Sequence, residues 1–292
     1  MNRNEIQAIL ILLEDPDIQI YDSISKSLLN KGVNVIPDLE KAWEVTVSSL
    51  TQGRLENIIH KIQQNFVHQS LSNWVKEGSN DLLEGAFIIS KHQYPEILFD
   101  DIQNTIEKIK HDVWLEINNN LTALEKVRKL NRIIFEINKY SGNTTNYYSP
   151  QNCYINQVLL LKKGNAVSLG LLYASIAQRL GLPIYGVNLP KNFILAYKDE
   201  FHELISDDVT GDDILFYINP FNKGAILGRK EIDHFLQQQN ITPVESYYQT
   251  CSNLEIVQRL ILNLIYSYEK LENKAKISDL KDLLKISRLK NP

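Results

Sequence analysis

Apolar side chains recur at helical spacing through the first 140 residues. The first such set is Ile6, Ile9, Leu10 and Leu13, three or four residues apart, as one face of an α-helix requires. An acidic turn, Glu14–Asp17, precedes a second set that stops at Gly32, and Pro37 stands where a third helix could begin. Further helices are predicted over residues 55–74, 82–90, 98–117 and 121–138. The pattern therefore predicts a helical N-terminal region.

The pattern changes after the loop-forming residues 142–146. A strongly apolar helix is predicted from Leu169 to Leu180, ended by Gly181. Three short runs rich in β-formers follow at 184–188, 193–197 and 214–218, each bounded by Gly, Pro, Asn or Asp. A helix followed by adjacent strands favours an α+β fold over alternating βαβ units. The expected core is a central helix packed on a small antiparallel sheet.

The last 47 residues return to helical spacing, with one broad apolar face from Leu254 to Tyr268 and a second around Leu283. We divide the chain into a helical region at 1–105, a core at 106–245 and a C-terminal helical hairpin at 246–292. The acidic turn between two amphipathic helices near the start resembles a HEAT repeat, and a plain helical bundle is the alternative. The hairpin resembles a single tetratricopeptide unit, which we expect to pack on the core.

Charge and composition exclude several classes of function. The net charge is −4, so no nucleic-acid or membrane-surface partner is indicated. Two cysteines are too few for a disulfide framework, and we expect no cofactor and no metal site. The N-terminal apolar run, 8–13, is too short for a signal peptide, and no window is long enough to span a membrane. A cytoplasmic protein is therefore expected, with its oligomeric state open.

Residues 147–227 carry a series of short motifs in a distinctive order. These are Tyr148-Ser149-Pro150-Gln151-Asn152, Lys162-Lys163-Gly164, Gly181-Leu182-Pro183, Lys191-Asn192-Phe193 and Asn219-Pro220-Phe221-Asn222. The series resembles the transglutaminase-like core of the bacterial SirB family. That resemblance implies a papain-like arrangement of helix and sheet. It also implies a bacterial cytoplasmic protein, with a regulatory role as one expectation and with helical flanks as in that family.

The resemblance also places a catalytic triad, and this chain departs from it at each position. The nucleophile position, fifteen residues before Gly181, is Ala166; the histidine position is Asn192 and the aspartate position is Asn219. An alanine provides no nucleophile, and an asparagine has no titratable nitrogen with which to move a proton. We therefore expect a degenerate site and no thiol chemistry.

The degenerate site is still expected to keep its geometry. The three side chains should converge at one end of the sheet, with Asn192 and Asn219 sharing a hydrogen bond. The helix start at Asn165 should leave N–H groups facing an anion-friendly hollow. The remaining pocket candidates are Asn152, Asn156, Ser168 and Phe193.

Other residues could in principle replace the missing chemistry. Ser168 is interpreted as a helix-packing serine, and Cys153 as a half-buried small residue rather than a nucleophile. His202 and His234 fall at no triad position. The acidic residues in 199–213 could hold a hard cation, but their spacing matches no known calcium loop, so a solvated hairpin is favoured.

Three functions remain open on the sequence. The first is a non-catalytic binding, scaffold or regulatory module that takes a protein or peptide partner. The second is a hydrolase or acyl transferase with a relocated nucleophile. The third is a purely structural interaction protein whose former cleft is filled by side chains, a reading that an open pocket beside Ala166 would oppose.

Overall fold

A computed structural model describes residues 3–199 and 213–289. Within this part, the chain divides into two compact units, residues 1–70 and 71–292. The predicted boundaries at 105/106 and 245/246 both fall inside the second unit. The acidic segment between the predicted strands, together with His202, lies outside the described residues, except that the N–H of Asp199 bonds the carbonyl oxygen of Asp213 at 2.6 Å.

The first unit is helical, as its spacing predicts. It contains α1 (Arg3–Glu14), α2 (Ile18–Lys31), α3 (Ile36–Val45) and the first part of α4 (Ser49–Lys76). Asp17 caps α2 by accepting from the N–H of Gln19 at 2.8 Å, and Gly32 ends that helix with a φ of 68°. The core of the unit consists of Leu13, Leu28, Val35, Leu39, Ala42, Leu55, Ile58 and Ile62. These helices do not test the HEAT resemblance, which stays a prediction.

The second unit begins with helices and continues into the sheet. Its helices are α5 (Leu82–Lys91), α6 (Phe99–Trp114), α7 (Ala123–Asn131), α8 (Ile155–Leu161), α9 (Ala166–Arg179), α10 (Arg229–Gln238), α11 (Asn253–Lys270) and α12 (Lys274–Arg288). The helix predicted over 121–138 continues past α7 as a π-helical turn, Arg132–Ile137. Helix α10 was not predicted, although Ile232 and Leu236 provide a short apolar face.

Two sheets are present in the described part of this unit. Strands β1 (Ser141–Gly142) and β2 (Lys163–Gly164) form a short parallel pair. Strands β3 (Ile184–Val187), β4 (Ile194–Lys198), β5 (Ile214–Asn219) and β6 (Ala225–Leu227) form an antiparallel sheet in the order β3-β4-β5-β6. The sequence predicted β3, β4 and β5 and missed β6 and the parallel pair. The α+β fold class is confirmed.

Helix α9 lies at the centre of the second unit because it is apolar on all sides. Every residue from Ala166 to Ala177 is buried. The helix contacts α5, α6, α8, α11 and the strands β3 and β4. Gly170 permits the closest approach, because a Cβ there would lie 2.6 Å from the Phe193 ring. This packing fixes the start of α9 against the turn between β3 and β4.

The C-terminal hairpin packs on this core. Helix α11 contacts α5, α9 and α12, and its inner face includes Val257, Leu260 and Leu264. Just before α11, Cys251 forms a single antiparallel bridge with Gly186 of β3. The hairpin is therefore part of the same compact unit as the helix and sheet that it follows.

Candidate functional site

The start of α9 is held by a capping box. Asn165 is the N-cap, and its side-chain oxygen accepts from the N–H of Ser168 at 2.9 Å. The Ser168 hydroxyl accepts in return from the N–H of Asn165 at 3.0 Å. Reciprocal bonds of this kind satisfy helix N–H groups that would otherwise lack partners. Ser168 is thus a capping residue, and the hollow that we predicted at unpaired N–H groups is partly closed by its own cap.

Asn152 ties the preceding loop to this cap. Its backbone oxygen accepts from the Ser168 hydroxyl at 2.5 Å. Its side-chain nitrogen donates to the carbonyl oxygens of Asn146 at 2.7 Å and Tyr147 at 3.0 Å. The side chain is buried, so these bonds fix the loop that carries Tyr147. Asn152 therefore holds the loop that carries Tyr147 against the start of α9, on the side away from the pocket.

Cys153 is buried directly under the cap. Its sulfur accepts from the side-chain nitrogen of Asn165 at 3.0 Å, and the residue is only 1% exposed. Burial raises the pKa of the Cys153 thiol to about 12, because the thiolate would lose its hydration. The structure places it deeper than the half-buried position that the sequence indicated.

A pocket of about 150 Å³ opens in front of the head of α9. It is lined by Tyr147, Tyr148, Asn165, Ala166, Val167, Lys191, Asn192, Phe193, Arg259, Asn263, Tyr266 and Ser267. The residues come from the loop before α8, the start of α9, the β3–β4 turn and α11. The nucleophile position and the histidine position of the predicted site therefore border the same cavity, together with two further predicted residues, Asn165 and Phe193.

Four of the predicted site residues lie elsewhere. Asn219 ends β5 and caps the short helical turn after it, accepting from the N–H of Asn222 at 3.2 Å. Asn152 and Ser168 are buried behind the cap. Asn156 lies on α8, where its side-chain oxygen is buried without a hydrogen-bond partner in the described part of the chain. None of these four borders the pocket.

The predicted hydrogen bond between Asn192 and Asn219 is wrong. The Asn192 side-chain oxygen instead accepts from the N–H of Phe193 at 2.8 Å. Each asparagine thus satisfies its own turn, as this residue type often does where a strand meets a loop. Two positions of the three-residue site converge on the pocket, and the third does not.

Arg259 enters the pocket from α11. Its Nη2 donates to the carbonyl oxygens of Leu189 at 3.4 Å and Asn192 at 3.3 Å, both on the β3–β4 turn. Burial lowers the pKa of this guanidinium, although arginine remains charged in proteins. Arg259, Asn263, Tyr266 and Ser267 follow one another at helical spacing, so a single stripe of α11 forms one wall.

Aromatic rings form the rim of the pocket. Tyr147 packs edge-on against Tyr148, with ring centroids 5.1 Å apart, and Tyr148 packs against Tyr266 at 5.6 Å. The Lys270 ammonium lies 5.3 Å from the Tyr266 ring centroid. Tyr148 and Tyr266 are each nearly half exposed. The rim is therefore an accessible aromatic surface beside a positive charge.

Comparisons with known proteins agree with this architecture. Residues 100–262 match the family model described as the Transglutaminase-like superfamily, which covers more than half of the chain. The chain belongs to the transglutaminase-like superfamily. The matched range contains the pocket-lining residues from Tyr147 to Arg259, and the lining residues Asn263, Tyr266 and Ser267 lie just after it.

Individual relatives of this transglutaminase-like chain were also found. A UPF0162 protein of Xylella fastidiosa is 33% identical over 155 residues, covering 52% of this chain and 50% of the relative. A UPF0162 protein of Vibrio cholerae is 26% identical over 156 residues, covering 53% of each. Human F-box only protein 21 is 26% identical over 235 residues, covering 72% of this chain and 36% of the relative. The chain thus spans about half the length of these bacterial relatives and 36% of the human one. No solved structure matches it.

The described residues contain neither a helix suited to span a membrane nor a cluster of metal-binding side chains. No helix there has the length and apolar character needed to cross a membrane. No group of three or more His, Cys, Asp or Glu side chains there is arranged to hold a metal ion.

The sequence reasoning missed the wall contributed by α11. Arg259 and Asn263 lie far along the chain from the motifs that carry the resemblance, and only the apolar face of their helix was predicted. A signal was present, because a cation at position 259 interrupts the apolar run from Leu254 to Tyr268 and aligns with Asn263. Only the packing of α11 on α9 assigns that stripe to the site.

Proposed function

We propose that this transglutaminase-like chain is a non-catalytic binding module, and that its ligand occupies the pocket at the head of α9. The observation that carries the proposal is an open cavity bordered by Ala166, where the resemblance places a nucleophile. We infer that the chain is a SirB-family protein whose triad is degenerate at Ala166, Asn192 and Asn219. The proposed partner is a peptide segment of another protein, and a cytoplasmic location stays a prediction.

The chemistry of the lining residues supports binding over turnover. The described residues that line the pocket include no cysteine and no histidine. Burial raises the pKa of both Cys153 and Cys251 to about 12, so neither thiol is ionised near neutral pH. The tyrosine rim instead provides rigid, amphipathic contact area of the kind that peptide-binding surfaces use.

The alternative is a hydrolase or acyl transferase with a relocated nucleophile, and one residue favours it. Ser267 is a buried serine that borders the pocket. A serine nucleophile needs a neighbouring general base. None of the described pocket residues is a histidine, a glutamate or an aspartate, so Ser267 lacks the usual base.

Turnover assays separate the two functions. We expect wild-type protein to match the buffer blank in amine incorporation into a glutamine peptide and in peptide hydrolysis. Ser267→Ala and Cys153→Ser should give the same blank-level signal. Turnover by the wild type that disappears in either variant would establish the relocated nucleophile instead.

A binding experiment tests the pocket itself. Peptides selected from a random display library on the wild-type chain should lose binding to Ala166→Phe, because the ring fills the cavity mouth. The matched control is Ala275→Phe, which adds the same ring to the exposed first turn of α12. Equal retention by the wild type and Ala166→Phe would place the binding surface elsewhere.

A further inference from the structure

The pocket contains a cation that the protein does not neutralise. No carboxylate in the described part of the chain forms an ion pair with Arg259, and no Asp or Glu is among its described lining residues. Glu255, one helical turn earlier on α11, is engaged elsewhere, because it accepts from the N–H and the hydroxyl of Ser252 at 2.8 Å each. A half-buried guanidinium without a counter-charge is costly to maintain.

Most of the N–H donors of this guanidinium make no hydrogen bond within the described residues. Arginine carries five N–H donors in a planar fork. Only Nη2 donates within the described residues, and both of its bonds are longer than an ordinary hydrogen bond. Those bonds hold the guanidinium against the β3–β4 turn, which leaves Nε and Nη1 for a ligand. Each of these nitrogens can donate a charge-assisted hydrogen bond to an oxygen of a carboxylate.

The surroundings specify the rest of the ligand. Asn192 and Asn263 add amide groups, and Lys191 adds a second positive charge at the edge. The walls beyond them are the rings of Tyr147, Tyr148 and Tyr266, which suit an organic stem better than a fully hydrated inorganic ion. A volume of about 150 Å³ accommodates a single side chain or chain terminus rather than a long segment.

A second cleft in the described residues does not share this character. This wider cleft of about 530 Å³ is lined by Arg179 along with Glu107 and Lys110. Arg179 there is already paired with Asp81 at 2.7 Å and lies 3.6 Å from Glu107. Its charge is neutralised within the protein, so that cleft offers no vacant cation.

We propose that Arg259 binds a carboxylate presented by a peptide, with the apolar part of the same residue against the tyrosine rim. The carboxylate is either a free C-terminus or a Glu side chain, since the chemistry at the fork is the same. The proposal rests on the proposed function, because it names the ligand class of the same pocket. It places the anion beside Ala166, at the turn that carries Asn192.

Matched small probes test the carboxylate directly. Acetyl-Ala-Phe would be titrated as the free acid and as the C-terminal amide. Acetyl-Glu amide, with acetyl-Gln amide as its neutral counterpart, would represent the side-chain source, and inorganic phosphate would represent a simple anion. Binding is followed by ligand-observed NMR and by the Nε–Hε signal of Arg259. We expect at least one carboxylate probe to bind about tenfold or more tightly than its neutral counterpart, as a charge-assisted bond provides. The more effective probe identifies the source.

Variants of the arginine provide the control. Arg259→Gln should abolish the preference for acid over amide, while Arg259→Lys should retain part of it because the charge remains. Arg128→Gln removes the same charge from an exposed position on α7 and should leave the preference unchanged. Thermal unfolding of each variant confirms that the comparison is between folded proteins.

Several outcomes would overturn the inference. Equal binding of acid and amide would contradict it, as would displacement of the acid by an equal concentration of phosphate. No binding of any probe at about 10 mM, weaker than a millimolar Kd, would also contradict it. The same experiments distinguish a failure of the carboxylate assignment from a failure of the proposed peptide-binding function. If library peptides bind the wild type and not Ala166→Phe regardless of their charge, the pocket binds peptides and only the carboxylate assignment is wrong. If Ala166→Phe has no effect on them, both proposals fall.

Discussion

Cys153 lies within hydrogen-bond distance of the helix start yet has lost the conditions that activate a thiol. A reactive cysteine needs exposure and a nearby positive charge to lower its pKa. Here the sulfur is buried, and its contact is the neutral side chain of Asn165. The sequence already argued against this cysteine as a nucleophile. It could not give the extent of burial, because that depends on segments distant in the chain, such as the head of α9, packing against the residue.

The buried thiol predicts a loss of stability at alkaline pH. Burial raises the pKa of Cys153 from 9.0 to about 12, so the folded state retains a proton that the unfolded state releases. The stabilisation is complete below pH 9 and is lost as the pH rises towards 12. At pH 10 this corresponds to about 1 kcal/mol. Urea denaturation of Cys153→Ser at pH 8 and 10 should show a smaller decrease in the free energy of unfolding than the wild type. An unchanged pH dependence would contradict the assignment.

The position of Arg259 in the pocket could not be predicted from local sequence motifs. The motifs around Ala166 and Asn192 predicted two walls of the pocket, since strand and helix order follow from local pattern. Arg259 is 67 residues beyond Asn192, and a helix presents several stripes to its neighbours. Which stripe of α11 faces the site is decided by packing against α9, for which one sequence carries no direct signal.

At the scale of elements, the N-terminal cap of α9 is predicted to contribute measurably to the stability of the site. The Ser168 hydroxyl accepts from Asn165 and donates to the buried carbonyl oxygen of Asn152. Ser168→Ala removes the hydroxyl from both groups, which keep only the bond from the N–H of Asn165 to the carbonyl oxygen of Asn152 at 3.2 Å. Two buried hydrogen bonds are lost, so we expect a decrease of about 1–2 kcal/mol in the free energy of unfolding. Chemical denaturation measures it.

The control for the cap lies on α11. Ser252 forms an equivalent capping box with Glu255, but at the surface, where water can replace the lost hydroxyl. Ser252→Ala should therefore cost less, about 1 kcal/mol or below. If the two alanine variants were equally destabilised, the burial of the α9 cap would contribute nothing.

The contact between α9 and β4 predicts opposite effects for two helical glycines. Gly170→Ala would place a methyl group 2.6 Å from the buried Phe193 ring, so we expect destabilisation by about 1–3 kcal/mol despite the helix preference of alanine. Gly53 on α4 has no atom within 4 Å of the position that a Cβ would occupy, so Gly53→Ala should stabilise its helix by roughly 0.5–1 kcal/mol. Thermal unfolding followed by circular dichroism compares the pair. A stabilising Gly170→Ala would refute the close approach.

At the scale of the whole molecule, the sequence predicted the central strands of the sheet, but it did not predict helix α10 and the edge strand β6 that pack beside them. Strand β4 is buried along Ile194–Tyr197, with Ile194 and Ala196 packed toward α10 and Leu195 toward α9. A strand covered on both faces shows no alternation, so its apolar run predicted a strand and a buried position together. Helix α10 was missed because it is short and mostly polar, and β6 because three residues carry too little pattern.

The attachment of the C-terminal hairpin predicts protection of residues 240–260 against proteolysis. The N–H of Cys251 donates to the carbonyl oxygen of Gly186 at 2.7 Å, and the Tyr217 hydroxyl donates to the carbonyl oxygen of Tyr248 at 3.1 Å. Helix α11 then buries Val257, Leu260 and Leu264 on the core. Opening this segment would expose the apolar face of α11 together with the strand edge beneath it, so cleavage requires unfolding of the unit. Limited digestion with proteinase K, followed by mass spectrometry, should detect no early cut between 240 and 260, and urea should accelerate cutting there in parallel with the loss of circular dichroism. Early release of a folded fragment ending near residue 245 would show that the hairpin is separable and that Arg259 cannot be a fixed wall of the pocket.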